Sequence, residues 1–417
     1  MNVINFIMDA GSSVFMPIII LILGLIFGLE FKKAFKAGVV VGIGFIVINL
    51  AIGLLCESLD VVIGQLVSLY DFKLTSLDVG WTIGAAIAWK SGIIVPIILG
   101  AVLLTNIILV AVGFTKTMDV DIWNYWGLLF VGNATYQVTG KIWVGVLASI
   151  IAMMFVLKMA DFAAPRIEEA FGMPGITTCN VETVTPGLIA EPLDALINKI
   201  PGLNKIDWTP ERIQEKLGIF GETWFLGAVM GLVLSLIARL DLSTILSTTM
   251  NVAASMYVLP KMIGVLMEGL LPITEAAQKF MQKKFAGKKI YIGLDAAVLC
   301  GHPSVVATQL LLIPTVLLLA TVLPGNTTLP LAELGGITFL IVWAVMPSKG
   351  NVFRGWLIGT VIMAIVLLVA SNLAPIMTQL GALAGYAIPE SAANITCLTI
   401  GGGWFSWLVF KVLTMIF

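Results

Sequence analysis

Blocks of about 20 apolar residues recur along this chain of 417 residues, each near the length that carries an α-helix across roughly 30 Å of hydrocarbon. They lie at 13–29, 37–55, 93–113, 141–158, 222–239, 244–266, 304–323, 352–371 and 400–417, with shorter blocks at 124–139 and 332–347. Continuous apolar blocks, rather than alternation of apolar and polar residues, exclude a β-barrel. Charged residues make up 11% of the chain, against roughly 25% in a soluble domain. The expectation is an all-α polytopic membrane protein with about eleven transmembrane helices.

The flank "MNVINFIMDAGSS" ahead of the first block carries Asp9 as its one charged residue. Without a basic leader segment, the block reads as a retained helix rather than a cleaved signal. A net charge of -1 gives no reason to expect a nucleic-acid partner. Cys56, Cys179, Cys300 and Cys397 form no CxxC pair and no metal-ligand spacing, so they read as packing residues. No metal or cofactor is expected.

Basic residues cluster in alternate loops, for example Lys32, Lys33 and Lys36, and again from Lys279 to Lys289. Placing those loops inside puts the N-terminus outside and the C-terminus in the cytoplasm. That orientation requires the segments around 78–92 and 293–303 to dip into the membrane and return on the same side.

Those two segments resemble each other. Laying "LDVGWTIGAAIAWKSGIIVPIIL" on "LDAAVLCGHPSVVATQLLLIPTVLL" sets Asp78 on Asp295, and Pro96 and Pro314 then fall 18 and 19 residues downstream. "KIWVGVLASIIAMMFVL" from Lys141 and "NVFRGWLIGTVIMAIVLLV" from Asn351 continue the match in the same order. Two halves, 1–158 and 222–371, each with five spans, would enter the membrane with opposite orientation. This is the inverted repeat of many secondary transporters, here as 5+5 spans plus one, with two re-entrant hairpins. A polar connector, 159–221, lies between the halves on the cytoplasmic side, and 372–417 supplies an outer loop and the last helix. Within the connector, "TPERIQEKLG" reads as a short helix capped by Thr209, started by Pro210 and stopped by Gly218.

An ionisable group at membrane depth is a functional candidate by default, because it must pair or face water. Asp295 and His302, the one histidine of the chain, meet that description, and Gly293, Gly301 and Pro303 break the helix around them. Asp78 and Trp81 are their counterparts in the first half: an acid to accept hydroxyl hydrogen bonds and an aromatic face for C–H groups. Asn133 and Gln137 in "VGNATYQVTG", with Asn180 and Glu182 in "TTCNVETV", add neutral and acidic acceptors suited to a polyhydroxy ligand. Each also has a structural reading: His302, Asp78 and Asp295 as helix caps, and the amides as glue between helices. No phosphate-binding loop or nucleophile elbow is present.

The strings "LDVGW" (77–81), "VDIWNYW" (120–126), "INKIPGLNKI" (197–206), "FGE" (220–222), "IGLDAAVLCGH" (292–302) and "VLPGNTTLP" (322–330) resemble the galactitol-type enzyme IIC of the bacterial phosphotransferase system. The resemblance covers about residues 10 to 371. It implies a permease subunit of the cytoplasmic (inner) membrane that binds a sugar or polyol and presents it to a separate enzyme IIB bearing a phosphocysteine, itself charged by an enzyme IIA chain. It also implies a lipid-embedded homodimer with an elevator-type motion, with no phospho-acceptor residue on this chain. The family's motif falls on Gly293 to His302, making Asp295 and His302 the first ligand candidates, and "VDIWN" on Val120 to Asn124, a structural or positioning element. One departure stands in the loop 175–184, which holds no histidine where the galactitol pattern carries a Pro-His, and this leaves the sugar open. An ion-coupled symporter of a small polar solute is the alternative, since it needs the same broken helices and buried acids.

Overall fold

A computed structural model describes residues 16–70, 74–90, 94–284, 289–330, 332–388 and 392–417. The flank with Asp9, residues 91 and 92 of the first dipping segment, and Lys288 lie outside them. The described chain is mostly helical, as the apolar blocks require. Six helices are long and apolar enough to cross a membrane: α2 (Phe31–Tyr70), α4 (Ile94–Ala111), α6 (Ile142–Phe171), α11 (Leu242–Lys284), α13 (Pro303–Val322) and α15 (Val352–Leu383). Shorter apolar helices are α1 (Met16–Ile26), α10 (Thr223–Ile237) and α17 (Trp404–Ile416), with a fourth at Leu334–Val345 that contains α14 (Thr338–Val345). The remaining helices are α3 (Trp81–Lys90), α5 (Trp126–Thr139), α7 (Val181–Val184), α8 (Gly187–Ile197), α9 (Pro210–Leu217), α12 (Ala297–Cys300) and α16 (Leu398–Gly401). The class is that of a multi-pass, all-α membrane protein.

Helix ends follow capping rather than hydropathy. The apolar block ending at 158 continues as helix to Phe171, where Gly172 adopts φ 67° and its amide bonds back to the Glu168 carbonyl. A left-handed residue of this kind closes a helix wherever it occurs. In α9 the Thr209 side chain accepts from the Arg212 amide, Pro210 occupies the first turn and Gly218 ends it, as the sequence predicts.

The sequence did not reveal six short strands: β1 (Ser76–Asp78), β2 (Thr117–Asp119), β3 (Ile176–Thr178), β4 (Tyr291–Leu294), β5 (Thr328–Leu329) and β6 (Asn394–Thr396). They form two parallel sheets of order β5-β1-β6 and β2-β4-β3. Ser76 pairs with Thr328 and Asn394, while Ile292 pairs with Met118 and Ile176. The central strand β1 therefore pairs with two strands far towards the C-terminus, β5 and β6, and β4 with two far towards the N-terminus, β2 and β3. Inside a membrane protein this exchange satisfies backbone groups that interrupted helices leave open. Gly293 permits the close approach in β4, since a Cβ there would lie 2.6 Å from Cys179 Sγ and 3.1 Å from Asp119 Cα.

The strand starts are anchored to long helices. Asp161 on α6 accepts from Thr115 Oγ1 (2.9 Å), Thr117 Oγ1 (2.8 Å) and the Lys116 amide (3.0 Å) ahead of β2. Ser371 on α15 plays the same part ahead of β5, bonding the Thr327 amide and Thr328 Oγ1 at 2.9 and 2.8 Å. Around the sheets pack α3–α6 and α13–α17, with Trp343, Tyr125 and Phe130 among the fully buried side chains. In contrast, α2, α10 and α11 pack chiefly on one another. Gly44 and Gly269 let α2 and α11 meet backbone to backbone, with built Cβ positions 2.8 Å from Leu266 Cα and Val41 N.

Candidate functional site

Strands that run parallel deliver the residues after them to one end of their sheet. Past β2-β4-β3 this gathers Asp119 and Asp121, Asn180 and Glu182, and Asp295, all buried. Asp295 joins the three strand ends. Its amide donates to Asp121 Oδ2 (3.2 Å), its Oδ2 accepts from Asn180 Nδ2 (3.2 Å), and its Oδ1 accepts from the Ala297 amide (2.8 Å). Asn180 Oδ1 accepts from the Ala296 amide at 2.7 Å and from Thr178 Oγ1 at 2.8 Å. Asp121 Oδ1 caps the turn at the Trp123 amide (3.1 Å), and Asn124 Nδ2 donates to Asp119 Oδ1.

The second sheet repeats the plan. Asp78 ends β1, accepting from the Gly80 amide on Oδ1 (3.2 Å) and from the Glu333 amide on Oδ2 (2.8 Å). Glu333, after β5, accepts from the Thr399 amide (2.9 Å), the Thr399 hydroxyl and the Cys397 thiol (3.3 Å). Asp78 and Asp295 thus each close a turn two residues on, ahead of α3 and α12, as an Asx motif does.

The two cradles approach one another. Trp81, which opens α3 and is 39% exposed, packs its edge on Trp126 with ring centroids 5.6 Å apart. Trp126 Nε1 donates to Glu182 Oε1 (3.1 Å).

Of the residues singled out from sequence, Asp295, Asn180 and Glu182 come together, with Trp81 joined to them through Trp126. Asp78 sits in the second cradle. Gln137 Nε2 donates to Asn133 Oδ1 (3.2 Å) farther along α5. His302 is the N-cap of α13, its Nδ1 accepting from the Ser304 amide, and its ring meets Phe171 at the end of α6 at 4.7 Å. Sequence reasoning passed over Asp119, Trp126, Glu333 and Thr399, and gave Asp121 and Asn124 a structural or positioning part. The available signal was an acid inside an apolar block, which both "VDIWNYW" and "LAELGG" carry. The cradles hold carboxylates, amides and indoles, the groups that bind hydroxyls and C–H faces.

The model of the family described as PTS system sugar-specific permease component, EIIC-GAT, matches residues 6–391. The chain is 36% identical over 414 residues to a protein of Escherichia coli K12 named putative permease IIC component, covering 99% of this chain and 94% of that protein. It is 35% identical over 411 residues to the PTS system galactitol-specific EIIC component of the same strain, covering 99% and 90% respectively. The protein of that name from Escherichia coli O157:H7 matches to the same extent.

Proposed function

The chain belongs to the EIIC-GAT family of PTS sugar-specific permease components, and on that premise we propose that the Asp295 cradle is its sugar site, for a galactitol-like polyol. Membership makes it a multi-pass protein of the inner membrane that handles a sugar alongside IIB and IIA components. One observation carries the assignment of the site. Asp295 ties the ends of three strands into a buried cradle of acceptors, beside the partly exposed Trp81. Hydroxyls would donate to Glu182 and Asp295 and accept the second Nδ2 proton of Asn180, and a C–H face would lie on Trp81. Asp78 and His302 hold the turns that frame the site, and Asn133 and Gln137 line the approach along α5.

The separate IIB chain supplies the phosphoryl group. The S–P bond of its phosphocysteine breaks as an O–P bond to a sugar hydroxyl forms, and the hydroxyl proton ends on the cysteine sulfur that leaves. Positions 78–92 and 293–303 are the re-entrant segments of an inverted repeat with about eleven crossings, N-terminus outside and C-terminus inside. The correspondence of β1 with β4, and of Asp78 with Asp295, supports that repeat. In a homodimer embedded in lipid, α1, α2, α10 and α11 form the scaffold against which the cradle-bearing body moves as an elevator. The glycine-mediated packing of α2 on α11 supports a rigid scaffold.

Uptake of radiolabelled polyols and sugars into vesicles, with and without phosphorylated IIB inside, tests the reading. Accumulation as sugar phosphate only with IIB is the expected result. Accumulation without IIB that an ionophore abolishes would make the chain a symporter.

A further inference from the structure

In the connector between α6 and α10, helix α8 has its polarity reversed. Both of its charges turn to ion pairs within the protein: Glu191 meets Arg166 on α6 at 2.6 Å, and Asp194 meets Arg354 on α15 at 3.1 Å. The outward stripe is apolar instead. Leu188, Pro192 and Leu196 are exposed and recur every four residues, so they share one side of the helix. Leu188 and Leu196 are 48% and 56% exposed, and Ile200, just past the helix end, is 41% exposed. A helix that faces water shows the opposite arrangement, with its charges outward.

Contacts at both ends set the depth of this segment. A Cβ at Gly187 would lie 2.9 Å from the Trp343 ring and 3.0 Å from Met159 Cε. From Ile142 to Met159, α6 rises about 25 Å, close to the full depth of the hydrocarbon. Farther on, the chain is pinned to the first turn of α15. Arg354 donates to Asp194 Oδ1 and to the Asn204 carbonyl (3.3 Å), Asn351 Nδ2 to the Ile206 carbonyl (2.7 Å), and the Val352 amide to the Trp208 carbonyl (3.0 Å). Trp208, half-exposed, sets its edge on Phe353 at 5.5 Å, and indoles collect at the boundary between membrane and water. Residues 187–208 therefore lie where hydrocarbon gives way to headgroups.

The charges left over at that level are positive. Glu191 and Asp194 are paired as above, and Asp207 pairs with Arg212 at 3.2 Å. Lys199 and Lys205 are exposed, and among the described residues neither forms an ion pair. Resting on the cytoplasmic placement of this connector, we infer that α8 and the turn after it, as far as Trp208, form a foot that takes an anionic phospholipid of the inner leaflet. Leu188, Leu196 and Ile200 meet the upper acyl chains, while Lys199 and Lys205 meet the phosphate and headgroup. A soluble partner would need the stripe lifted clear of the bilayer, against the bonds to α15.

The test uses the full chain in liposomes with a bimane label on Leu196→Cys, the unsubstituted chain treated alike serving as the blank. Quenching by lipids brominated in the upper acyl chain, and not by iodide, is expected. Brominated phosphatidylglycerol should half-quench at a mole fraction at least about fivefold below that of brominated phosphatidylcholine, and Lys199→Gln combined with Lys205→Gln should bring the two together. Quenching by iodide alone means a face in water, and no quenching by either means a face covered by protein; each overturns the inference. Equal quenching by the two lipids with both lysines present, or a preference that survives their loss, also overturns it. Gln214→Cys, exposed on α9, tests the placement separately. A membrane-impermeant maleimide should reach it in inside-out vesicles and not in intact cells. Reaction in intact cells overturns the cytoplasmic placement and leaves the lipid contact to be decided by the quenching.

Discussion

Asp295 contacts the end of each neighbouring strand, so its substitution separates binding from folding. In Asp295→Asn the Oδ1 bond to the Ala297 amide survives, because asparagine caps a turn nearly as well as aspartate. The other branch becomes an amide facing Asn180 Nδ2, and a charged acceptor is lost. Affinity for the proposed polyol is expected to fall about tenfold, since hydrogen bonds to charged groups are the stronger kind, with the thermal unfolding midpoint in detergent nearly unchanged. A variant that fails to fold would make the acid structural. Trp126→Phe should do the reverse. It keeps the ring contact with Trp81 but leaves both Glu182 oxygens without a partner, so a loss of about 1–3 kcal/mol in stability is expected, read by chemical denaturation.

At the level of elements, close helix packing depends on small residues more than on apolar ones. The α5–α6 contact has Gly132 against Gly145 and Ser149: a Cβ at Gly132 would fall 2.1 Å from Ser149 Oγ and 2.8 Å from the Gly145 carbonyl. Small residues at such crossings let backbones meet where apolar side chains gain nothing over lipid. Gly132→Ala should therefore overpack the pair and cost about 1–3 kcal/mol. The matching Gly100→Ala, on α4 where a Cβ meets nothing within 4 Å, should be close to neutral. Thermal unfolding of the two variants side by side checks the contrast.

Across the whole molecule, segments far apart in the chain are tied by strand exchange and by a buried ion pair. Arg354 at the start of α15 bonds Asp194 on α8 at 3.1 Å, with both side chains about nine-tenths buried, and its other nitrogen donates to the Asn204 carbonyl. Arg354→Ala strands a buried carboxylate and is expected to cost about 3–5 kcal/mol. Adding Asp194→Ala should recover part of that loss. Cutting the chain near residue 209 tests the exchange itself. The first fragment lacks β4 and the second lacks β2 and β3, so neither alone should resist protease, whereas the co-expressed pair should purify together.

The sequence alone determined the medium this protein folds in and the kind of element it uses, because crossing hydrocarbon demands long apolar helices whatever their neighbours are. It also marked Asp78 and Asp295 as equivalents, and Asn180 and Glu182 as polar residues in apolar company. Only the tertiary structure decided that strands of two to four residues exist at all, since segments so short are held by partners 116 to 318 residues away rather than by their own propensity. The same pairing brought Asp119, Asp121 and Asn180 to Asp295, and left His302 capping α13 beside Phe171. Which donors reach each acid depends on residues such as Thr399, delivered from distant parts of the chain, and a periodicity read along one sequence does not contain that distance.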